Sequence, residues 1–170
     1  MSTVKIGIVG STANKFDIAT MSTARRTIAN IIEHALQHSN DIIIVSGGSP
    51  NGGIDEWAEE IAHSYNLETK IYKPTRNTWE GNGGFKARNI AIANTATEVH
   101  CIVPQKYPES YRGRKEIECY HCIKHGHNAQ HIKSAGCWTG WYAASLNKPY
   151  IQHVIKTPSS PVGDDDDIPR

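Results

Sequence analysis

Residues 41–45 form an almost continuous β-branched run, Asp-Ile-Ile-Ile-Val. A strand that is apolar at nearly every position has to be covered on both faces, as an inner strand of a parallel sheet is. Further strand patterns at 4–10, 69–73, 99–103 and 150–155 alternate with helical patterns at 20–38, 55–65, 87–95 and 137–146. This alternation predicts an α/β fold of Rossmann-like, doubly wound type, with a mostly parallel five-stranded sheet and helices on both faces.

The domain organisation follows from where this alternation stops. A chain of 170 residues is long enough for one domain that buries about 70% of its unfolded surface. We predict a single domain over residues 1–156, with a small Cys/His-rich insertion at about 104–133, where hydrophobic periodicity disappears. The segment at 157–170 contains four successive aspartates and several prolines, which predicts a disordered acidic tail.

Charge and hydropathy exclude some classes of partner. The sequence has 18 basic and 17 acidic residues, a formal net charge of +1, so no overall field attracts nucleic acid or a membrane surface. No apolar run approaches the ~20 residues that a membrane span needs, and the first residues lack a signal-peptide pattern. We therefore expect a cytoplasmic protein with no membrane partner, and a homo-oligomer stays open.

Small and polar residues cluster where strands end and helices begin. These segments are Gly10-Ser-Thr12, Ser46 to Asp55, and Ser134 to Thr139. In doubly wound sheets ligands lie at the carboxyl ends of the strands, where glycines admit an anion to the backbone and helix N-termini attract it. The pattern is neither a Walker A loop nor a G-x-G-x-x-G fingerprint. It predicts a site for a phosphate-bearing molecule, with Asp55 either capping a helix or accepting from a ribose hydroxyl.

Several of these motifs together resemble the SLOG superfamily. They are Ile8-Val-Gly-Ser11 with Phe16-Asp17, Val45-Ser-Gly-Gly48 with Gly53-Ile-Asp55, Gly84-Phe-Lys-Ala-Arg-Asn89, and Gly136-Cys-Trp-Thr139. The sequence is similar in particular to the YspA/YpsA-like branch, related to the lonely-guy phosphoribohydrolases and the DprA/Smf Rossmann domain. The resemblance covers about residues 4–103 and 134–155, and it implies a nucleotide or nucleotide-derived ligand across the glycine-rich loops.

By this resemblance a defined set of residues binds the ligand. The glycines would line its phosphate side, Asp55 its sugar, and a third loop would supply Lys86, Arg88 and Asn89. The whole implied set is Gly10, Ser11, Ser46, Gly47, Gly48, Gly53, Asp55, Lys86, Arg88, Asn89, Gly136 and Thr139. From the residues alone, Arg88 as a surface cation and Asn89 as a helix cap are alternatives. Trp79 and Trp138 flank these loops, and both core packing and stacking on a base are open for them.

One departure from the family bears on catalysis. Hydrolytic members carry Pro-Gly-Gly-x-Gly-Thr-x-x-Glu before the last helix, whereas here the sequence is Ser134-Ala-Gly-Cys-Trp-Thr-Gly-Trp-Tyr142. N-glycosidic hydrolysis needs a carboxylate or comparable base. The sequence therefore favours ligand binding, with a nucleotide N-glycosidase as the alternative, and it assigns no catalytic residue.

The insertion has its own motif, C-x-x-C-x-x-x-x-H-x-x-x-H, formed by Cys119, Cys122, His127 and His131. Two thiolates and two imidazoles complete a tetrahedral Zn²⁺ shell, and Cys137 is an alternative fourth ligand to His127. We expect a structural zinc ion as the cofactor, because this segment has too few apolar residues to fold by burial. The spacing resembles a zinc knuckle, so a nucleic-acid-binding accessory role through Tyr120 and Lys124 is a further alternative.

Overall fold

A computed structural model describes residues 3–158 of the chain. The strands are β1 (Val4–Gly10), β2 (Ile42–Ser46), β3 (Glu68–Ile71), β4 (Glu98–Pro104) and β5 (Tyr150–Ile155). The helices are α1 (Ile18–Leu36), α2 (Ile54–Ser64), α3 (Phe85–Thr95), α4 (Tyr120–His125) and α5 (Ala135–Ser145), and a short 3₁₀ turn spans Ala13–Lys15. The predicted acidic tail lies outside the described residues, except for residues 157 and 158.

The five strands form one sheet in the order β3-β2-β1-β4-β5, and every pairing is parallel. The predicted α/β, doubly wound fold is confirmed, and the sheet is wholly rather than mostly parallel. From β1 the chain builds outward through β2 and β3, then returns to the other side of β1 for β4 and β5. The loops after β1 and β4 therefore leave in opposite directions, which creates a topological switch point at their carboxyl ends.

The sheet is covered on both faces, as predicted. One face packs Ile6, Ile8 and Ile44 against α1 and α2. The other face packs Val9 and Val45 against α3 and α5. Neighbouring strand residues enter different cores because side chains alternate across a strand. All elements that begin at the carboxyl edge are thus fixed to one rigid sheet.

Polar caps explain why two helices begin earlier than their hydrophobic patterns indicate. Asp17 and Thr20 form a reciprocal capping box, in which the Thr20 N–H donates to Asp17 Oδ1 at 2.8 Å. Helix α1 therefore begins at Ile18 and not at residue 20. Ser134 accepts a hydrogen bond from the Gly136 N–H at 3.2 Å, so α5 begins at Ala135 and not at residue 137.

The insertion contains one short helix, α4, where no periodic pattern predicted an element. With only six residues, it is too short to show an amphipathic repeat. Among the helices described, none is long and apolar enough to cross a membrane.

Candidate functional site

A cleft of about 150 Å³ lies at the switch point of the sheet. It is formed by the end of β1, the loops after β1 and β2, and the first turns of α2, α3 and α5. Residues from all four predicted ligand segments line it: Gly10, Ser11, Asp55, Arg88, Asn89, Gly136 and Thr139. Segments far apart in the sequence therefore meet at the edge where a doubly wound sheet binds ligands.

Two glycines allow these segments to approach one another. A Cβ at Gly136 would lie only 3.0 Å from the backbone nitrogen of Gly10, so α5 begins directly against the end of β1. Gly53 has a φ of +88°, and a Cβ there would lie 2.6 Å from the backbone nitrogen of Ala13. A side chain at either position would separate the loops. The glycines thus bring backbone to the edge of the cleft.

A buried ion pair stands at one wall of the cleft. Arg88 Nη1 lies 3.5 Å from Asp55 Oδ2 and donates to the Gly47 carbonyl at 2.7 Å. Asp55 also accepts from the Ser49 N–H at 3.2 Å. Burial raises the pKa of Asp55, and the charge of Arg88 opposes that rise. Asp55 does not cap its helix, because the N-cap of α2 is Gly53.

Unpaired polar atoms converge on the same cleft. Of the five buried side-chain nitrogen and oxygen atoms that lack a partner within the described residues, four belong to its walls: Ser11 Oγ, Arg88 Nε, Asn89 Nδ2 and Thr139 Oγ1. Leaving a buried donor or acceptor unpaired costs roughly 1–3 kcal/mol. Asn89 is not a helix cap either, because α3 is capped by Gly84. The cleft therefore offers hydrogen-bonding groups that the protein itself does not use.

The electrostatics of the cleft favour an anion. Lys15 and Arg88 both line it, against a single lining carboxylate, Asp55, in the part of the chain that the structure describes. Burial lowers the pKa of Lys15. Helices α2, α3 and α5 all begin around the cleft, and their N-termini add partial positive charge. Sequence reasoning missed Lys15, because the 3₁₀ turn that places it follows no hydrophobic pattern.

Three predicted residues support the cleft without lining it. Ser46 is buried beneath it, where its hydroxyl donates to the Ile8 carbonyl at 2.6 Å and contacts Asp55. Gly47 supplies the carbonyl that holds the Arg88 guanidinium. Gly53 caps α2. These residues position the wall of the site.

Two predicted residues lie elsewhere. Gly48 lines a separate hollow with Glu56 and Lys73. Lys86 lies on another side of α3, with its Nζ 3.6 Å from Glu80, and it lines a groove on the outer face of that helix. A shift of two positions along a helix turns a side chain by about 200°, so Lys86 and Arg88 cannot face the same ligand from the first turn of α3.

A second cluster lies in the insertion beside α5. Cys119, Cys122, His131 and Cys137 are all buried, and one ligand atom from each lies within 4.8 Å of the others. Hydrogen bonds from the Cys122 and Cys137 thiols, together with backbone N–H groups, lower the pKa of Cys119. The contact with Cys119 raises the pKa of Cys122, and the contact with Cys101 raises that of Cys137. The distances among the four ligand atoms are short enough for these residues to hold a metal ion.

The neighbours of His131 orient its ring for ligation. Its Nδ1 lies 2.7 Å from the Ile132 carbonyl, which assigns the ring proton to Nδ1 and leaves Nε2 as the ligand atom. Nε2 faces the Cys122 thiol at 3.3 Å. The amide of Gln152, on β5, lies 2.6 Å from the same nitrogen. The contact at Nδ1 is of the kind that fixes the tautomer of metal-ligating histidines. The Gln152 amide occupies the lone pair of Nε2 and would have to turn away for that nitrogen to bind a metal, and sequence reasoning did not include this residue.

The structure distinguishes the two candidates for the fourth ligand. Cys137 belongs to the cluster. His127 does not, and its ring instead packs against Tyr150 with 5.2 Å between the centroids. Cys101 is a further buried thiol, with its Sγ 3.8 Å from that of Cys137, but it lies outside the set of four.

A larger cavity, of about 560 Å³, lies between the second half of α1 and the first residues of β1 and β4. Three of its polar side chains pair with one another: His100 contacts Glu98 at 2.9 Å and His153 at 3.0 Å. It lies away from the glycine-rich loops and the switch point. We therefore place the candidate ligand site in the smaller cleft, where the buried polar atoms lack partners.

The structure defines a Rossmann-like, doubly wound α/β domain with a cleft at its switch point. No protein-family model matches the sequence, and no curated protein matches it either. The structure is similar to that of the molybdenum cofactor carrier protein MCP from Chlamydomonas reinhardtii, with a TM-score of 0.53, 14% identity, and coverage of 92% of this chain and 79% of that one.

The structure is also similar to DNA processing protein A (DprA) from Streptococcus pneumoniae, with a TM-score of 0.50 and 17% identity over 95% of this chain. This chain spans about half of DprA, 52% of its length. Both neighbours have SLOG-type Rossmann-like folds. The resemblance predicted from the sequence motifs is therefore confirmed at the level of the fold.

The buried ion pair makes a prediction for stability. Arg88→Met leaves Asp55 without its cation, and we expect this to lower the free energy of unfolding by about 3–5 kcal/mol near neutral pH. Because burial raises the pKa of folded Asp55 above the unfolded value of about 3.9, stability falls as pH rises from about 4 through the folded pKa. The loss in the variant should therefore shrink at acid pH. Urea unfolding between about pH 4 and 8 measures it.

Arg25→Met is the matched control, because Arg25 forms an exposed ion pair with Glu60 at 2.8 Å. Exposed pairs contribute less than about 1 kcal/mol. An Arg88→Met variant that loses no more stability than Arg25→Met at neutral pH would contradict the account of a buried pair.

Proposed function

We propose that the protein binds a phosphate-bearing, nucleotide-derived small molecule in the cleft at the switch point. The observation that carries the proposal is the set of four unpaired, buried polar atoms around one small cavity. A ligand with phosphate and sugar oxygens would supply partners for all four. The excess of cations and the helix N-termini favour its negative charge. The Chlamydomonas neighbour is a carrier of the molybdenum cofactor, and holding a small molecule is likewise the role proposed here.

The size of the cleft limits how such a ligand would be held. Its volume of about 150 Å³ is below the ~300–1,000 Å³ of sites that enclose a drug-sized ligand. The cleft would therefore take the phosphate and part of the sugar, and leave the base at its mouth. Gly10 and Gly136 would present backbone to the phosphate, and Asn89 and Thr139 would donate side-chain hydrogen bonds.

The Thr139→Val variant tests ligand binding separately from the stability of the fold. The Thr139 hydroxyl is buried without a partner, so replacing it by a methyl group of similar shape should leave the free protein at least as stable. The same change should weaken nucleotide binding by about 1 kcal/mol or more. Isothermal calorimetry and melting temperatures with a panel of nucleoside monophosphates and ADP-ribose measure the two effects, because a bound ligand raises Tm by mass action.

Thr20→Val is the control. The Thr20 hydroxyl belongs to the capping box of α1, so this variant should lose about 1 kcal/mol of stability and keep its affinity. A panel that leaves Tm unchanged at millimolar concentration would refute the nucleotide site. So would a Thr139→Val variant that loses stability but binds as the parent does.

Hydrolysis of the bound nucleotide is the second candidate function, favoured by the raised pKa of Asp55. Asp55 is the one carboxylate lining the cleft among the described residues, and it is paired with Arg88. Both of its oxygens already contact protein groups, Oδ1 with Ser46 and Oδ2 with Arg88 and Ser49, so they are poorly placed to accept a proton from water. We therefore expect no release of free base when AMP, CMP or IMP is incubated with the protein, as followed by chromatography. Release above the buffer control, lost in Asp55→Asn, would establish the hydrolase instead.

We also propose that the cluster of Cys119, Cys122, His131 and Cys137 holds a structural zinc ion. Three sulfur ligands and one imidazole complete the four positions of a tetrahedral zinc site. All four residues are buried, so no position is left for a substrate. The ion would connect α4 and the residues after it to the first turn of α5.

The purified protein should contain about one zinc ion per chain, as a closed four-ligand site requires. Cys137→Ala and His131→Ala should each abolish that content in elemental analysis. Cys101→Ala and His127→Ala should retain it, because both residues are close to the cluster but outside it. Chelation or acidification should remove the ion, with loss of order near residues 105–135 while the sheet stays folded. A metal-free protein with an ordered insertion would end the zinc proposal.

A further inference from the structure

An exposed aromatic groove lies on the outer face of α3, α4 and α5, and nothing in the described residues covers it. Its volume is about 470 Å³. Five aromatic side chains line this groove: Trp79, Tyr120, Trp138, Trp141 and Tyr142. Large aromatic surfaces are normally buried in a core or an interface. Five aromatic side chains on one open surface therefore indicate a binding surface.

The rings form a fixed platform around Trp138. Its ring stacks on Tyr142, with 5.4 Å between centroids and planes 13° apart. Trp79 meets it edge to face at 5.2 Å, and the His125 ring stacks on Trp141 at 4.1 Å. The platform remains accessible, because Trp79 is 37% and Tyr120 60% exposed. These exposed rings offer faces on which a planar group can stack without rearrangement of the groove.

The charges beside the rings select the kind of partner. Lys86 and Lys124 line the groove together with two histidines, His121 and His125, and no carboxylate is among its lining residues in the described part of the chain. Glu80 lies 3.6 Å from Lys86 and forms an ion pair with it. Aromatic faces interleaved with cations match the bases and phosphates of a single strand. A purely apolar partner would offer Lys124 no counterion.

We propose that the aromatic groove binds a short single-stranded nucleic acid, with bases stacked on the rings and phosphates beside the lysines. This is a different site from the nucleotide cleft, because α3 separates the two. Arg88 and Asn89 face the cleft, and Lys86 faces the groove. The low net charge of the chain does not oppose the proposal, because the cations in question are local to the groove.

Fluorescence anisotropy of labelled oligonucleotides tests the proposal on the full chain. The probes are oligo-dT and oligo-U of about 12 nucleotides, within the ~4–16 nucleotides that single-strand sites cover, and a duplex of the same length. We expect both single strands to bind, or only one of them if the groove distinguishes deoxyribose from ribose. We expect the duplex to bind at least tenfold more weakly. Affinity should fall with added salt.

Matched variants locate the site. Tyr120→Ala and Trp79→Ala should each weaken binding about tenfold, the scale of losing one stacked base. Lys124→Glu should weaken it by a similar factor. Arg26→Glu is the charge-reversal control, because Arg26 is exposed on α1, which packs on the opposite face of the sheet, and it should keep most of the affinity.

Competition distinguishes the groove from the cleft. Nucleoside monophosphates should not displace the oligonucleotide, and Thr139→Val should bind it as the parent does. Displacement, or loss in Thr139→Val, would place the strand in the cleft and overturn the proposal. The proposal would also be overturned if Lys124→Glu and Arg26→Glu lost the same affinity, if the duplex bound as tightly as the single strands, or if no oligonucleotide bound at low salt. These results count whether or not nucleotides bind in the cleft.

Discussion

The candidate sites of this protein depend on the packing of the first turn of α5 against the end of β1. Successive residues of a helix point about 100° apart, and here they enter different surroundings. Gly136 packs against the end of β1, Cys137 enters the cysteine–histidine cluster, Trp138 lies in the aromatic groove, and Thr139 lines the cleft. A movement of this turn would therefore change all of these sites together.

This arrangement gives the insertion a role beyond its own folding. The cluster joins the segment around α4 to α5 through Cys137, so ligation of a metal there would hold both the groove and one wall of the cleft. The opposite wall is fixed differently, by the buried pair of Asp55 and Arg88. A buried pair is costly to break because it leaves an uncompensated charge. One wall would thus depend on metal ligation in the cluster, and the other depends on the buried ion pair.

The sequence predicted the elements more completely than the directions of their side chains. Continuous β-branched runs and glycine-rich turns determine the sheet and the edge where a ligand would lie, because both follow from periodicity and backbone conformation. The face that a helical residue presents depends on where its helix begins, and caps decide that. Lys86 was therefore predicted at the cleft but lies in the groove. Lys15 was missed for another reason, because the 3₁₀ turn that places it follows no hydrophobic pattern.

The cysteine–histidine cluster shows the same limit. Local spacing alone made His127 and Cys137 equal candidates, because it ignores how the chain returns to the sheet. Cys137 reaches the cluster through the early start of α5, which the Ser134 cap determines. His127 follows a turn at Gly126, in the left-handed conformation, that directs it towards Tyr150. The pairing of β5 with β4, which local spacing does not predict, places Gln152 beside the cluster.

The unpaired atoms of the cleft bear on how strongly it would bind. At roughly 1–3 kcal/mol each, four unpaired groups would cost a large share of the 5–15 kcal/mol that stabilises a typical domain. A ligand that supplies partners to these groups recovers part of that cost on binding. Charged oxygens held at fixed positions offer more, since hydrogen bonds to charged groups are about twice as strong as neutral ones. A neutral sugar alone would gain little from this cleft, and a phosphate would gain most.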